Sequence, residues 1–106
     1  MAEQRRLDLQ AELEAVMGSL GKVYFEPDRN VKLVYPCICY FMSYTDYSYT
    51  NNLIYLGHRQ YDVSIIDRDP DSDLPKRLEE HGFYRLRFDR TYLADNLHHF
   101  VYKLYY

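Results

Sequence analysis

Four aspartates recur at every second position, Asp67, Asp69, Asp71 and Asp73, and form the densest group of possible ligands in the chain. Carboxylates at this spacing match the opening of a calcium-binding loop. The match then fails. The sixth position counted from Asp67 is Ser72, where such a loop needs glycine, and the twelfth is Leu78, where it needs glutamate. Pro70 also stiffens the run. The segment therefore predicts an acidic turn with no metal. Its carboxylates would accept orphan N–H groups at a helix start, leaving Arg68 to pair with a partner.

Other reactive side chains are scattered. His58 and His81 stand alone, and His98 and His99 would point to opposite faces of a strand, so no zinc ligands converge. Ser19, Ser43, Ser48, Ser64 and Ser72 all lack the flanking glycines of a nucleophile elbow. Gly21-Lys22 lacks the rest of a phosphate loop. Cys37 and Cys39 share a strand face, a poor geometry for a disulfide, and predict buried reduced thiols. No pair of acids falls in an evident apolar pocket. These absences predict a protein that is not an enzyme and takes no cofactor.

Composition narrows the class further. The chain has 106 residues, enough for one domain, 1–106. Its net charge is −3, with 13 basic and 16 acidic residues intermixed, which is the wrong balance for a sequence-specific nucleic-acid binder or a membrane-surface protein. No apolar run approaches the roughly 20 residues of a membrane span, and the N-terminus has no apolar signal core. The anomaly is 13 tyrosines beside five phenylalanines and no tryptophan. Tyrosine suits surfaces that are dry on one side and wet on the other, so the excess points to interfaces.

The elements that must carry these residues follow from periodicity. Leu9, Leu13, Val16, Met17 and Leu20 form one helical stripe, predicting an N-terminal helix within 1–21 that Gly21 closes. A loop over 23–30 precedes a strand over 31–42, apolar on both faces. Pro36 should place that strand at an edge, where a second subunit would have to cover it. Residues 43–57 mix tyrosine with Ser, Thr and Asn as binding loops do, which makes Tyr44, Tyr47 and Tyr49 candidate contacts. Alternation predicts a strand over 58–66, with Tyr61, Val63 and Ile65 inward. The acidic turn leads into a short helix to His81, capped by Ser72 or Asp73 and stopped by Gly82. Strands over 83–89 and 98–106 enclose a loop at 90–97. The order is α-β-β-α-β-β. The expected fold class is α+β: a mainly antiparallel four-stranded sheet with both helices on one face.

Three segments carry a family resemblance: Val31-Lys32-Leu33-Val34-Tyr35-Pro36-Cys37-Ile38, Ile66-Asp67-Arg68-Asp69-Pro70-Asp71-Ser72, and Phe88-Asp89-Arg90 with Ala94-Asp95-Asn96-Leu97. Together they resemble the tail terminator, or tail completion, proteins of tailed bacteriophages, over about Val23 to Tyr106. The resemblance implies a small structural subunit that forms a hexameric ring at the tail–neck junction of the virion, made in the host cytoplasm. Its partners would be copies of itself, the tail tube protein and the neck or connector protein, with DNA passing through the ring. Ring contacts are heterologous. Candidate contact residues are Tyr44, Tyr47 and Tyr49, the turn residues Asp67, Arg68, Asp69 and Asp71, and a third patch of Arg90, Asp95 and Asn96. The alternatives are a head-completion or neck protein of the head–tail joint, and a small cytoplasmic binding module whose tyrosine loop grips a ligand.

Overall fold

Leu9, Leu13, Val16 and Met17 wind into α1 (Ala2–Met17), where all four are buried. The computed structural model describes residues 2–43 and 59–106. The expected contacts Tyr44, Tyr47 and Tyr49, and also His58, lie outside the described residues. The helix stops short of Leu20. Gly18 takes a φ of +59°, and its N–H donates to the Glu14 carbonyl at 2.8 Å, a left-handed close that suits glycine. Leu20 therefore leaves the stripe and is half exposed. Gly21, the expected stop, serves a different need. A Cβ there would lie 2.0 Å from the Pro36 carbonyl oxygen, so two backbones meet where a side chain cannot fit.

The expected loop at 23–30 opens with a strand, β1 (Lys22–Phe25). It pairs in parallel with β2 (Cys37–Met42), Val23 opposite Ile38. A parallel pair needs a crossover, and residues 26–36 supply it. The expected strand over 31–42 is thus cut to its second half, with Pro36, joined to Tyr35 by a cis peptide bond, just ahead of the ladder. β2 is an inner strand, not an edge. The helices cover one of its apolar faces, and Leu33 and Tyr35 pack on Cys37 and Cys39 of the other, leaving Phe41 exposed. The expectation that a second subunit must cover this strand is corrected accordingly.

The chain continues through β3 (Gln60–Asp67), α2 (Leu74–Glu80), β4 (Arg85–Ala94) and β5 (Leu97–Tyr105). The sheet runs β1-β2-β3-β5-β4, and every pair except β1–β2 is antiparallel. The fold is a small α+β domain with a five-stranded mixed sheet, in the order α-β-β-β-α-β-β. This replaces the four-stranded expectation. Both helices lie on one face, where Leu9, Leu13, Met17, Leu74 and Leu78 meet Ile38, Val63, Ile65 and Leu104. Each such side chain contributes about 1.5–3 kcal/mol on burial.

Part of the tyrosine excess belongs to this core. Tyr40, Tyr61 and Tyr102 are fully buried. Neighbours satisfy the polar tips of Tyr40 and Tyr102 at the core's rim. The Tyr40 hydroxyl donates to Gln10 Oε1 at 2.5 Å, and the Tyr102 and Tyr106 hydroxyls donate to the carboxylates of Glu79 and Glu12. Burial, then the Glu79 carboxylate, pushes the Tyr102 hydroxyl well above its ordinary range, and burial followed by Glu12 does the same for Tyr106.

Candidate subunit interface

The β4–β5 hairpin is longer than alternation over 83–89 and 98–106 predicts. Asp95 and Asn96 sit at φ 55° and 62°, the left-handed pair that a type I′ two-residue turn requires and Asx residues tolerate. The expected loop at 90–97 is therefore a tight turn between Ala94 and Leu97, which face each other across the ladder. Arg90, Thr91, Tyr92 and Leu93 are strand residues, opposite Val101, Phe100, His99 and His98. One irregularity interrupts the register. Phe88 faces Tyr102 and Arg90 faces Val101, so Asp89 is the extra residue of a bulge.

β4 is an edge of the sheet and is exposed along nearly its whole length. Leu93 is 61% exposed and Phe88 51%, and Tyr84 and Tyr92 are also open to solvent. Large apolar side chains along one unpaired edge mark a surface that another chain can cover. The strand's charges lie among them. Arg90 Nη1 bonds Asp89 Oδ2 at 2.5 Å, and its guanidinium lies 5.7 Å from the Tyr92 ring centre. The Tyr92 ring stacks on His99 at 4.5 Å and 6°. Arg85 lies over Tyr105 at 5.4 Å. Phe88 meets Tyr102 edge-on at 5.4 Å, so only its outer side is free.

The acidic turn is built from its own carboxylates. Asp67 Oδ1 accepts the Asp69 N–H at 3.1 Å, and Asp69 Oδ1 accepts the Asp71 N–H at 2.9 Å. Successive Asx turns explain the alternating spacing without a metal. Ser72 Oγ accepts the Leu74 N–H at 3.2 Å, whereas Asp73 makes no side-chain cap. Arg68 is exposed. Its guanidinium lies 5.7 Å from the Tyr35 ring centre.

Register brings two of the three expected patches to one end of the sheet. Asp67 pairs with His98, one residue after Leu97, so the turn at Asp67–Asp71 and the hairpin tip at Asp95–Asn96 are neighbours. Arg90 is set back along β4, where it belongs to the exposed edge. Sequence reasoning missed the contribution of Tyr84, Phe88, Tyr92 and Leu93. The signal was present: Thr91-Tyr92-Leu93 is a strand-forming run, and Asp95-Asn96 is a pair fit for a primed turn.

The sheet's other face carries an open groove of about 530 Å³ under the crossover, lined by Val31, Leu33, Tyr35, Phe41, Tyr92 and His99 among others. Burial lowers the His99 pKa, so its imidazole is neutral at neutral pH. Cys37 and Cys39 are free and buried, their sulfurs 4.0 Å apart. The hydrogen bond to Cys39, together with burial, pushes the Cys37 thiol up, which makes it a poor nucleophile. Among the described residues no cluster of three or more His, Cys, Asp or Glu could hold a metal ion, and no helix is long and apolar enough to cross a membrane. No family model, curated protein or solved structure matches this chain.

Proposed function

We propose that this chain is a structural virion subunit of a tailed bacteriophage, a tail terminator that assembles into a hexameric ring at the tail–neck junction, ends the tail tube and presents a surface to the head connector. The observation that carries the reading is the β4 edge, a ten-residue strand with Tyr84, Phe88, Tyr92 and Leu93 exposed beside it or along it. A subunit that spends its life inside an assembly has reason to keep such a surface, and a solitary soluble domain has reason to lose it. The viral role itself rests on the sequence resemblance. In this reading the charged end, Asp67 to Asp71 with Asp95 and Asn96, meets a tube or connector partner, and Tyr44, Tyr47 and Tyr49 add further contacts.

Cryo-electron microscopy of virions, with this chain located in the density, tests the proposal. Rings of it between tube and connector support the terminator role. Placement on the connector itself favours head completion, and absence from the particle overturns both. The groove beside Tyr35 and His99 favours the second reading, a small binding module. That reading requires a stable monomer whose ligand protects groove residues from solvent.

A further inference from the structure

We infer that, in free solution, β4 pairs antiparallel with β4 of a second copy about a two-fold axis passing between Asp89 and Arg90. This goes beyond the ring proposal and does not depend on it. The sheet has two edges, and they are unequal. At β1, Gln10 Nε2 donates to the Val23 carbonyl at 3.2 Å, and the Glu26 carboxylate accepts the Met42 N–H at 3.0 Å where β1 ends. That edge is four residues long and watched over by side chains. β4 has ten residues, and no described element lies beyond it.

The occupant follows from the sequence of β4 itself. With the axis between Asp89 and Arg90, Leu86 meets Leu93 of the second copy, Phe88 meets Thr91, Arg87 meets Tyr92, and Asp89 meets Arg90. Each pair recurs on the other side of the axis, as a two-fold contact demands. The faces agree as well. Leu86, Phe88, Thr91 and Leu93 lie on the helix-bearing side, because they stand opposite Leu104, Tyr102, Phe100 and His98. Arg87, Arg90 and Tyr92 lie on the other side, opposite Lys103, Val101 and His99. The bulge makes this agreement possible, since the extra residue Asp89 shifts the alternation halfway along the strand. Apolar side chains then meet across the pair on one side, and opposite charges with an Arg–Tyr contact meet on the other. A slip of one residue in either direction sets Asp89 against Asp89 or Arg90 against Arg90, which like-charge repulsion opposes. Bulges and charges on an edge usually prevent pairing. Here they oppose the two adjacent registers. A ring whose subunits all point the same way has no such axis, so the pair must part before the chain enters one.

The test is sedimentation equilibrium of the full chain, with disulfide trapping as a second measurement. The wild type should run as a dimer at high concentration. Leu93→Lys should weaken association by at least about ten-fold. Asp89→Arg should do likewise, and Asp89→Arg with Arg90→Asp should restore it. The double variant Arg87→Cys with Tyr92→Cys should form an inter-chain disulfide on mild oxidation. The two positions are too far apart along one extended strand to bridge within a chain. A control with Arg87→Cys alone should not form one, because in this register the two copies of that position lie about five residues apart along the strands. A wild type that stays monomeric up to about millimolar concentration, where a weak pair would show, overturns the inference. So does a dimer indifferent to Leu93→Lys and Asp89→Arg, or equal trapping of the control.

Discussion

The two edges of the sheet solve the same problem in different ways. β1 is short, sits against α1, and has a backbone acceptor occupied by Gln10. β4 is long and bare, with exposed aromatic and aliphatic side chains set among charges. A free edge is a template for pairing unless something covers it. The difference shows which edge the chain covers itself and which it leaves exposed. Completion from outside is therefore expected at β4 and not at β1.

Five substitutions, one of them read in a pH series, would break or sharpen that contrast. The largest loss belongs to the core on the middle strand, between the two edges. Ile65→Ala, fully buried between the helices and the sheet, should cost about 2–5 kcal/mol in chemical denaturation. Gly21→Ala, just before β1, should cost about 1–3 kcal/mol, because its Cβ strikes the Pro36 carbonyl and the crossover must shift. Wild-type stability in that variant would show that the crossover yields freely. The alkaline limb comes next. The Tyr102 hydroxyl has its pKa raised in the fold by burial and by Glu79, whereas an unfolded tyrosine ionises near pH ~10. Its contribution should be intact below that pH and fall away above it, and Tyr102→Phe should flatten the decline.

Gln10→Ala should cost about 1 kcal/mol, since it removes the Tyr40 and Val23 hydrogen bonds together. It also strips the guard from β1. If Gln10 protects that edge, the variant will self-associate more readily than wild type in light scattering. The smallest effect on folding belongs to the exposed edge. Leu93→Lys, at 61% exposure, should change monomer stability by about 0.5 kcal/mol or less while weakening association. A large loss of stability would mean that Leu93 is an internal strut.

The features legible in the sequence were those enforced by burial. The α1 stripe from Leu9 to Met17, the inward set Tyr61, Val63 and Ile65, and the Leu74–Leu78 pair are periodic because one face of each element is dry. The features that were not legible depend on contacts distant in sequence. β1 is four residues between Gly21 and Pro27, too short for a period to show, and it exists because β2 lies alongside it. Residues 31–36 look like strand because Leu33 and Tyr35 are apolar, yet they are apolar to cover Cys37, Cys39 and Ile66. The hairpin was obscured by Arg90 and by the bulge at Asp89, which breaks the alternation midway. The candidate site was half legible for the same reason. The sequence singles out Asp67, Arg68, Asp95 and Asn96, but it predicts a loop over 90–97, where Arg90–Ala94 is the second half of the exposed strand.

Hydrogen–deuterium exchange along β4, followed as protein concentration rises, tests the central claim most directly. Completion by another chain predicts that the β4 amides not bonded to β5 exchange quickly in dilute protein and slow as subunits associate, while β1 amides do not change. Rapid exchange along β4 at every concentration and in every assembly containing the chain would contradict the account, because the edge would then be a surface with no partner.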